Sequence, residues 1–446
     1  MKLHNKLCGA GLCLATVFFA GCNDEQDAVV NEVVISEQQQ GEALLSKQEQ
    51  DLLKVMRDSY AAIGEIALLP NVREEIVTEI EKEYDGNTDA RLRILFNGED
   101  NTVNGRARTT SFSEQFAKSV DDSDINGRGD LSASLKEKMI KNNLILYVPY
   151  FEYFDWKSIK EVTVTYHPLV QEDYNEGLVY FASSKQPQKV KRVDDAYCEK
   201  NPTIILKPAE GNDEEIASFQ ELKKLRLEKF AQTEAPSENS RVISSNFLSS
   251  VTSSKDISET DVLATYVPYY RMMQPYKGIF GGQEEIQIYR ASAPMKFKSD
   301  GTFEIAEKDL ILRDNVKRSD ARGTWQGGFT FDADWDMHEA EQAIMVIAKK
   351  ARENKFVFEG KVGVGYDVDT KKFVPEVKAT ADFKFDVGSD WRRIYNTPSY
   401  SRSGALTTFV GDNGLGIIKL DGVNYGIQSF GTVQYLMKFR WTDISE

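Results

Sequence analysis

Three aspartates recur at every second position in the stretch FDADWDMHEAE. On a β-strand, where successive side chains point to opposite faces, Asp332, Asp334 and Asp336 project from one face. Neighbouring carboxylates repel one another unless a cation lies between them, and Ca²⁺ prefers oxygen ligands. The spacing therefore points to a Ca²⁺ site. The alternative is a solvated acidic loop that leads into a helix over residues 339–350.

Two better-defined metal motifs are incomplete in the same stretch. An EF-hand loop that began at Asp332 would need glycine in place of Met337 and glutamate in place of Ala343. The zincin motif would need a second histidine in place of Gln342. The sequence also contains no P-loop and no glycine-rich dinucleotide fingerprint after a strand. Ca²⁺ is therefore the one cofactor that we consider, and no nucleotide cofactor is expected.

Residues suited to nucleophilic catalysis are sparse. Beyond residues 1–21 the histidines are His167 and His338, far apart in the sequence, and the chain has no G-x-S-x-G motif. Cys198 stands in the acidic context DDAYCEKNP, which disfavours a reactive thiolate. A glycosidase needs only two carboxylates at a set separation, and 70 aspartates and glutamates leave that alternative open.

Aromatic residues concentrate in two related stretches, NLILYVPYFEYFDW at residues 143–156 and DVLATYVPYYRMMQPY at residues 261–276. Aromatic faces bind sugar rings and anchor protein interfaces. The alternative is core packing, because alternation along a strand sends neighbouring aromatics to opposite faces and large aromatics are usually buried. The candidate ligand-binding residues are Tyr150, Tyr153, Trp156, Tyr269 and Tyr270.

Both stretches contain the tetrapeptide YVPY, at residues 147–150 and 266–269. Proline has no amide hydrogen to donate to a β-ladder, so each copy is expected at a strand edge or a bulge. The repeat suggests a duplicated element, although no further similarity between the two halves supports duplication.

Helical and β patterns follow one another along the chain. Apolar residues recur at helical spacing in the first part, and short β-branched and aromatic runs separated by turn residues follow. We therefore predict an α+β fold, with a helical region followed by two β-rich, antiparallel sandwich-like modules that a helix joins. The predicted bounds are residues 42–142 for the helical region, 143–211 for the first module, 212–241 for the joining helix and linker, and 242–446 for the second module.

Several elements are predicted in more detail. Pro70 is expected to end a first long helix, and Asn71 is the candidate N-cap of the next one. A shorter helix is expected over residues 89–96. In the second module, alternating residues on both sides of residues 369–372 predict a long antiparallel hairpin with one buried face.

The start of the chain has the features of an export signal. Two lysines precede an apolar run over residues 7–21, which is shorter than the roughly 20 residues that a bilayer-spanning helix needs. The stretch FFAGC resembles a bacterial lipoprotein box, and the resemblance implies cleavage before Cys22 and lipidation of Cys22. Residues 1–21 are therefore the predicted signal peptide, and the polar residues 22–41 are the predicted disordered tether.

The residues after Cys22 and the overall charge bear on location and partners. The acidic run NDEQD resembles the export tag of surface lipoproteins in Bacteroidota. It implies an outer-membrane lipoprotein held by acyl chains such as palmitate at the cell surface, or alternatively facing the periplasm. Removing the signal peptide, with its two lysines, changes the formal net charge from −15 to −17. Such a surface repels phosphate backbones, so nucleic acid is not an expected partner.

Three stretches of the first module carry a family resemblance. NNLILYVPYFEYFDW, VTVTYHPL and NPTIILKP resemble an uncharacterised exported lipoprotein of Bacteroidota, over residues 143–208. That family has no assigned activity, so the resemblance implies an exported location and a β-rich architecture but no catalytic residues. We expect a non-catalytic binding or scaffold protein with a glycan or protein ligand at the cell surface. The alternative is a secreted, glycan-directed hydrolase that uses a pair of carboxylates.

Replacing Cys22 by alanine removes the sulfur that would carry the acyl chains. We expect the Cys22→Ala protein to leave the membrane fraction, because the lipid chains contribute the affinity for the bilayer. Cell fractionation followed by immunoblotting measures the partition, and Cys198→Ala is the control that should stay in the membrane fraction. An unchanged partition of Cys22→Ala would contradict the lipoprotein prediction.

Overall fold

Helices occupy the first part of the described chain and β-strands most of the rest, which confirms the α+β class. In this computed structural model, the chain divides into two compact units after Gln50. In the first unit, a capping box forms between Ser46 and Glu49. The Ser46 N–H donates to the Glu49 carboxylate at 2.8 Å, and the Glu49 N–H donates to the Ser46 hydroxyl at 3.3 Å. The structure describes residues 41–82, 88–98, 110–123, 131–210, 213–234, 240–243, 262–292, 307–335, 339–350, 356–364, 366–367, 372–373, 379–388, 391–401 and 415–442.

The helices that precede the first sheet pack around three phenylalanines. The ring of Phe96 lies 5.2 Å from the rings of both Phe112 and Phe116, and all three side chains are buried. The Glu75 carboxylate accepts the backbone N–H groups of Ser111 and Phe112 at 2.9 and 2.8 Å. It thereby satisfies two donors that have no partner inside their own helix. The helices are α1 Lys47–Ala67, α2 Pro70–Ile80, α3 Leu92–Asn97, α4 Ser111–Ser123 and α5 Leu131–Lys141.

Two details of this region differ from the sequence prediction. Pro70 is the first residue of α2, and the extended Leu69 precedes it, so Asn71 is not the N-cap. Proline suits this position because the first N–H groups of a helix have no intrahelical acceptor. Residues 89–91 form a β-strand, and α3 begins directly after it, where a single short helix was expected.

The first sheet takes strands from the predicted helical region as well as from the first predicted module. Its strands are β1 Asp89–Arg91, β2 Leu144–Tyr147, β3 Glu161–Tyr166, β4 Tyr174–Phe181, β5 Ser184–Asp194 and β6 Thr203–Pro208. Their order is β1-β2-β6-β3-β4-β5. The β3–β6 pair is parallel and the other pairs are antiparallel, so the expectation of a purely antiparallel module is wrong. The parallel pair requires a crossover, and the chain makes it through β4, β5 and the short helix α6 Asp195–Cys198.

Helix α1 lies on this sheet through a contact that only glycine permits. A Cβ atom at Gly64 would come within 2.0 Å of the Tyr180 ring. The Tyr180 hydroxyl also donates to the carbonyl of Ala61 at 3.0 Å, and Arg57 donates to the Tyr166 hydroxyl at 2.9 Å. The helix therefore covers the sheet at van der Waals distance.

The remaining strands follow helix α7, and most of them build a four-stranded and a five-stranded sheet with a shared core. The elements are α7 Asp213–Glu234, β7 Ser240–Ile243, β8 Val262–Met272, β9 Glu284–Ser292, β10 Glu307–Val316, β11 Gln326–Trp335, β12 Glu341–Lys349, β13 Phe356–Val364, β14 Tyr366–Asp367, β15 Lys372–Phe373, β16 Ala379–Gly388, β17 Trp391–Ser401, β18 Ile417–Leu420, β19 Val423–Gly426, β20 Gln428–Phe430 and β21 Val433–Thr442. One sheet has the order β10-β9-β12-β17. The other has the order β11-β8-β21-β20, with β7 beside β21. Side chains from both sheets meet in one apolar cluster, among them Val267 and Phe439 from one sheet and Ile288 and Val346 from the other.

Two predictions for this region have opposite outcomes. Strands β13 and β16 pair antiparallel with Phe358 opposite Phe385, and β14 pairs with β15 nearer the turn, which confirms the predicted hairpin. The predicted helix over residues 339–350 is wrong, because β12 occupies this stretch and lies between β9 and β17. All seven residues between Glu341 and Lys349 are buried. A short run that is apolar on both faces does not show whether it is a strand or a helix.

The two YVPY copies adopt different conformations. The first ends strand β2 and turns at Tyr150, whose backbone is left-handed with φ of 55°, into a short 3-10 helix. The second lies within β8, where the register against β21 shifts between the partners of Tyr269 and Tyr266. Pro268 therefore sits at a bulge, as expected of a residue without an amide hydrogen. Opposite it, a Cβ atom at Gly328 would lie 2.1 Å from the carbonyl oxygen of Val267.

Candidate functional site

The loop of residues 276–283 between β8 and β9, here called the Phe280 loop, enters the core of the first sheet. Ile279 and Phe280 are fully buried and belong to an apolar cluster with Tyr147, Cys198 and Ile205. The backbone N–H of Phe280 donates to the Glu172 carbonyl at 2.9 Å. Apolar side chains of the Phe280 loop are therefore inserted between those of the first sheet. They attach the second β region to that sheet.

Glycines let the Phe280 loop approach this closely. A Cβ atom at Gly278 would lie 2.1 Å from the carbonyl oxygen of Glu172. Gly282 has a left-handed backbone with φ of 85°, and a Cβ atom there would lie 2.2 Å from Glu210 Oε1 and 2.5 Å from Lys207 Nζ. A residue with a side chain at either position would separate the loop from the charged groups beneath it.

Those charged groups form a triad of two lysines around one carboxylate. Glu210 Oε1 lies 2.8 Å from Lys207 Nζ, and Glu210 Oε2 lies 2.5 Å from Lys277 Nζ. The lysine side chains are only 5% and 4% exposed, whereas the Glu210 side chain is 29% exposed toward the cavity that it lines. Burial would raise the pKa of Glu210, but Lys207, Lys277 and Lys349 together hold that pKa well below its usual range. Burial would lower the pKa of Lys277, yet Glu210 and Glu284 raise it, so Glu210 and Lys277 both stay charged near neutral pH.

A second set of ion pairs holds the ends of the Phe280 loop. The buried Arg318 donates to Asp195 at 2.5 Å and to the carbonyl oxygen of Lys277 at 3.1 and 3.2 Å. The Glu284 carboxylate accepts the backbone N–H groups of Tyr276 and Lys277, at 2.9 and 3.2 Å respectively. Burial would raise the pKa of Asp195, but Arg318 lowers it below its usual range. Backbone and side chains of the loop are thus fixed by charge-assisted hydrogen bonds.

A cavity of about 340 Å³ opens beside the triad. Its polar lining consists of His167, Glu172, Lys207, Glu210, Lys277 and Lys349. Lys349 reaches it from strand β12, and its side chain is 30% exposed. The cavity therefore gathers side chains from the first sheet, the Phe280 loop and the second β region.

His167 is oriented by its own backbone turn. Its Nδ1 accepts the N–H of Leu169 at 2.8 Å, and Leu169 has a left-handed backbone with φ of 62°. An imidazole nitrogen that accepts a hydrogen bond carries no proton, so in the neutral ring the proton is on Nε2. The ring also meets Phe280 edge to face, with centroids 6.2 Å apart. The ring of His167 is therefore held in a fixed orientation at the cavity.

The predicted aromatic residues do not form one platform. Tyr150 and Trp156 are buried, and their polar atoms donate to Asp195 and to the carbonyl oxygen of Phe151, both at 2.9 Å. Tyr153, in contrast, is 51% exposed.

The aromatics of the second stretch also take separate positions. Tyr270 is buried and donates to Asp314 at 2.7 Å, whereas Tyr269 packs against a different cluster that contains Leu436. Core packing therefore accounts for most of the aromatic residues in the two stretches, and a ligand-binding role for them stays a prediction.

The predicted aspartate cluster is divided between buried and exposed positions. Asp332 is buried and forms an ion pair with Arg290 and a hydrogen bond with Gln342. Asp334 is exposed, and register shifts of β11 on both sides of Asp332 interrupt the alternation that the prediction assumed. Asp336 lies outside the described residues. Within the part of the chain that the structure describes, no group of three His, Cys, Asp or Glu could hold a metal ion, and the Ca²⁺ site stays a prediction.

Of Cys22 and Cys198, the structure describes only Cys198. Cys198 is buried in the cluster around Phe280, and burial raises the pKa of its thiol to about 12. It therefore stays protonated near neutral pH and contributes as an apolar side chain. Cys22 lies outside the described residues.

No protein family model, curated protein or solved structure matches this chain. Among the residues that the structure describes, no helix combines the length and the apolar character needed to cross a bilayer. The cavity and the signal-like start of the sequence are therefore the features of this chain that bear on its function.

Sequence reasoning missed the cavity. Lys207, Glu210, Lys277 and Lys349 are common surface residue types at unrelated positions, and nothing in their spacing marks them as neighbours. The one local signal is the glycine-rich stretch KGIFGGQ at residues 277–283, because clustered glycines indicate close backbone approach.

Replacing Glu210 by glutamine leaves two nearly buried lysines without their carboxylate. We expect the free energy of unfolding at pH 7 to fall by about 3 kcal/mol, the lower end of the cost of breaking a buried ion pair, because Glu210 itself is 29% exposed. Because its folded pKa is depressed, the contribution of Glu210 is complete above the unfolded value of 4.5. It is lost as pH falls from there toward the folded pKa. Urea unfolding at pH 7 and at pH 3 should therefore show the gap between wild type and Glu210→Gln narrowing at pH 3.

The matched control is Glu359→Gln. Glu359 and its partner Lys384 are 59% and 70% exposed, and such surface pairs contribute about 0–1 kcal/mol. This variant should unfold almost as the wild type does at both pH values. A gap for Glu210→Gln that is small at pH 7, or that does not change with pH, would contradict the role given to the triad.

Proposed function

We propose that this chain is an exported lipoprotein, anchored through Cys22, whose folded body binds a ligand without catalysing its conversion. The proposal is supported by the signal-like start of the sequence, the lipoprotein box and the resemblance over residues 143–208. We place it at the outer membrane, on the cell surface or facing the periplasm. Its partners are then the membrane and a glycan or protein ligand, with no nucleic acid.

The preformed cavity is the observation that most directly supports a binding function. Its volume of about 340 Å³ falls in the range of small-molecule sites. Two of its lysines are already held by Glu210, so a ligand does not have to order them. Binding to a preorganised site loses less conformational entropy, and more of the interaction energy appears as affinity.

The protonation states in the cavity favour binding over acid–base chemistry. Glu210, with its lowered pKa, is ionised near neutral pH and has no proton to donate. The Nδ1 atom of His167 is occupied by the Leu169 N–H, so it does not act as a base from that nitrogen. These two groups can hold a ligand by charge and hydrogen bonds without transferring a proton.

A second candidate function is glycan hydrolysis. Glu172 and Glu210 line the same cavity, and retaining glycosidases use one ionised carboxylate as nucleophile and a second carboxyl group as acid. The carboxylate pair would be Glu172 and Glu210, with the ionised Glu210 as the nucleophile. The two functions differ in whether product is released.

For the architecture, we propose two β-rich modules joined by α7 Asp213–Glu234. The first would comprise residues 143–211 together with β1 Asp89–Arg91, and the second residues 242–446. The two-sheet core of the second region supports a sandwich-like module there. The Phe280 loop would then be the main attachment between the modules.

The test is a glycan-array screen of the chain without residues 1–22, with and without Ca²⁺, followed by product analysis of each bound glycan. We expect binding without cleaved product. In Gly282→Val, a side chain would displace Glu210 and Lys207, so binding should be lost. In Gly327→Val, where a Cβ atom meets nothing within 4 Å, binding should persist. Released product would favour hydrolysis, and equal binding by both variants would place the ligand site outside the cavity.

A further inference from the structure

The charges around the cavity favour an anionic ligand. Lys207, Lys277 and Lys349 line it, against the two carboxylates of Glu172 and Glu210. The excess of cations is notable in a chain of net charge −15. Cations gathered in a cleft with low-dielectric walls raise the local concentration of anions.

Lys349 is the cation best placed to meet a ligand. Its side chain is 30% exposed, whereas Lys207 and Lys277 are nearly buried against Glu210. Its Nζ lies 3.4 Å from Glu285, which also pairs with Arg313 at a shorter distance of 2.8 Å. Glu285 therefore neutralises Lys349 only in part, and the Lys349 ammonium can bind a second carboxylate.

The uncharged and acidic groups of the cavity favour a ligand that also carries hydroxyl groups. Carboxylate oxygens such as those of Glu172 repel an inorganic anion but accept hydrogen bonds from hydroxyls. His167 adds a polar ring of fixed orientation to the same lining. The aliphatic side chains of Leu169, Pro208 and Ala209 complete the lining and can contact the C–H groups of a sugar ring.

Taken together, and given that the proposed function places the ligand in this cavity, we infer that the ligand is a polyhydroxylated carboxylate of monosaccharide size. A uronic acid, free or at the end of a glycan, has this chemistry. Its carboxylate lies against Lys349, and its hydroxyls contact Glu172 and His167.

Isothermal titration calorimetry of the mature chain with four probes tests this inference. The probes are galacturonate, glucuronate, galactose and inorganic phosphate. At least one uronate should bind, and galactose and phosphate should bind at least tenfold more weakly. Lys349→Gln should weaken uronate binding about tenfold, because it removes one charge-assisted contact worth about 1.4 kcal/mol. The exposed Lys384→Gln is the matched control and should bind as the wild type does.

Each other outcome overturns the inference in a recognisable way. If galactose bound as tightly as the uronates, the carboxylate of the ligand would contribute nothing to binding. If phosphate bound as tightly as the uronates, the hydroxyl contacts would contribute nothing. If no uronate bound while the array detected another ligand that Gly282→Val abolished, the inference would fail and the proposed function would stand. If the array and all four probes were negative, both would fail. Circular dichroism of each variant confirms that lost binding does not reflect lost folding.

Discussion

The carboxylate of Glu210 lies between two nearly buried lysines, and the rest of the site depends on that arrangement. Buried ions are costly, so the Glu210 carboxylate stabilises the nearly buried ammonium groups of Lys207 and Lys277 in their places. Lys207 and Glu210 come from the first sheet and the residues just after it, whereas Lys277 comes from the Phe280 loop. The charge balance therefore specifies where the loop lies. An ordinary surface ion pair could not do this, because it contributes about 0–1 kcal/mol.

The apolar insertion and the charges act on the same few residues. Burying a large apolar side chain such as Phe280 contributes about 1.5–3 kcal/mol, and the neighbouring Ile279 adds to that. Gly278 and Gly282 let the backbone of the loop approach the first sheet closely. Arg318 donates a hydrogen bond to the carbonyl oxygen of Lys277. Because the loop is held from both ends and from its centre, the walls of the cavity are ordered before any ligand arrives. Ordered walls of this kind are what the proposed binding function requires.

The sequence predicted those features that depend on local patterns. The α+β class, helix α7 and the hairpin of β13 and β16 all follow from periodicity. Strand β12 was mistaken for a helix because its apolar run is buried on both faces, and β1 was missed because three residues carry too little pattern. The cavity depends on contacts between residues about 70 positions apart in the sequence, and no local rule connects Glu210 to Lys277 or Lys277 to Lys349.

The Phe280 loop is a fixed part of the core, and hydrogen–deuterium exchange of the chain without residues 1–22 measures this directly. The amides of Lys277 and Phe280 donate to Glu284 and to the Glu172 carbonyl. If the account is right, both amides exchange as slowly as those of strand β9, since they open only when the surrounding structure unfolds. Exchange as fast as at the exposed turn of Asp421 and Gly422 would contradict it, because the cavity would then lack a fixed wall.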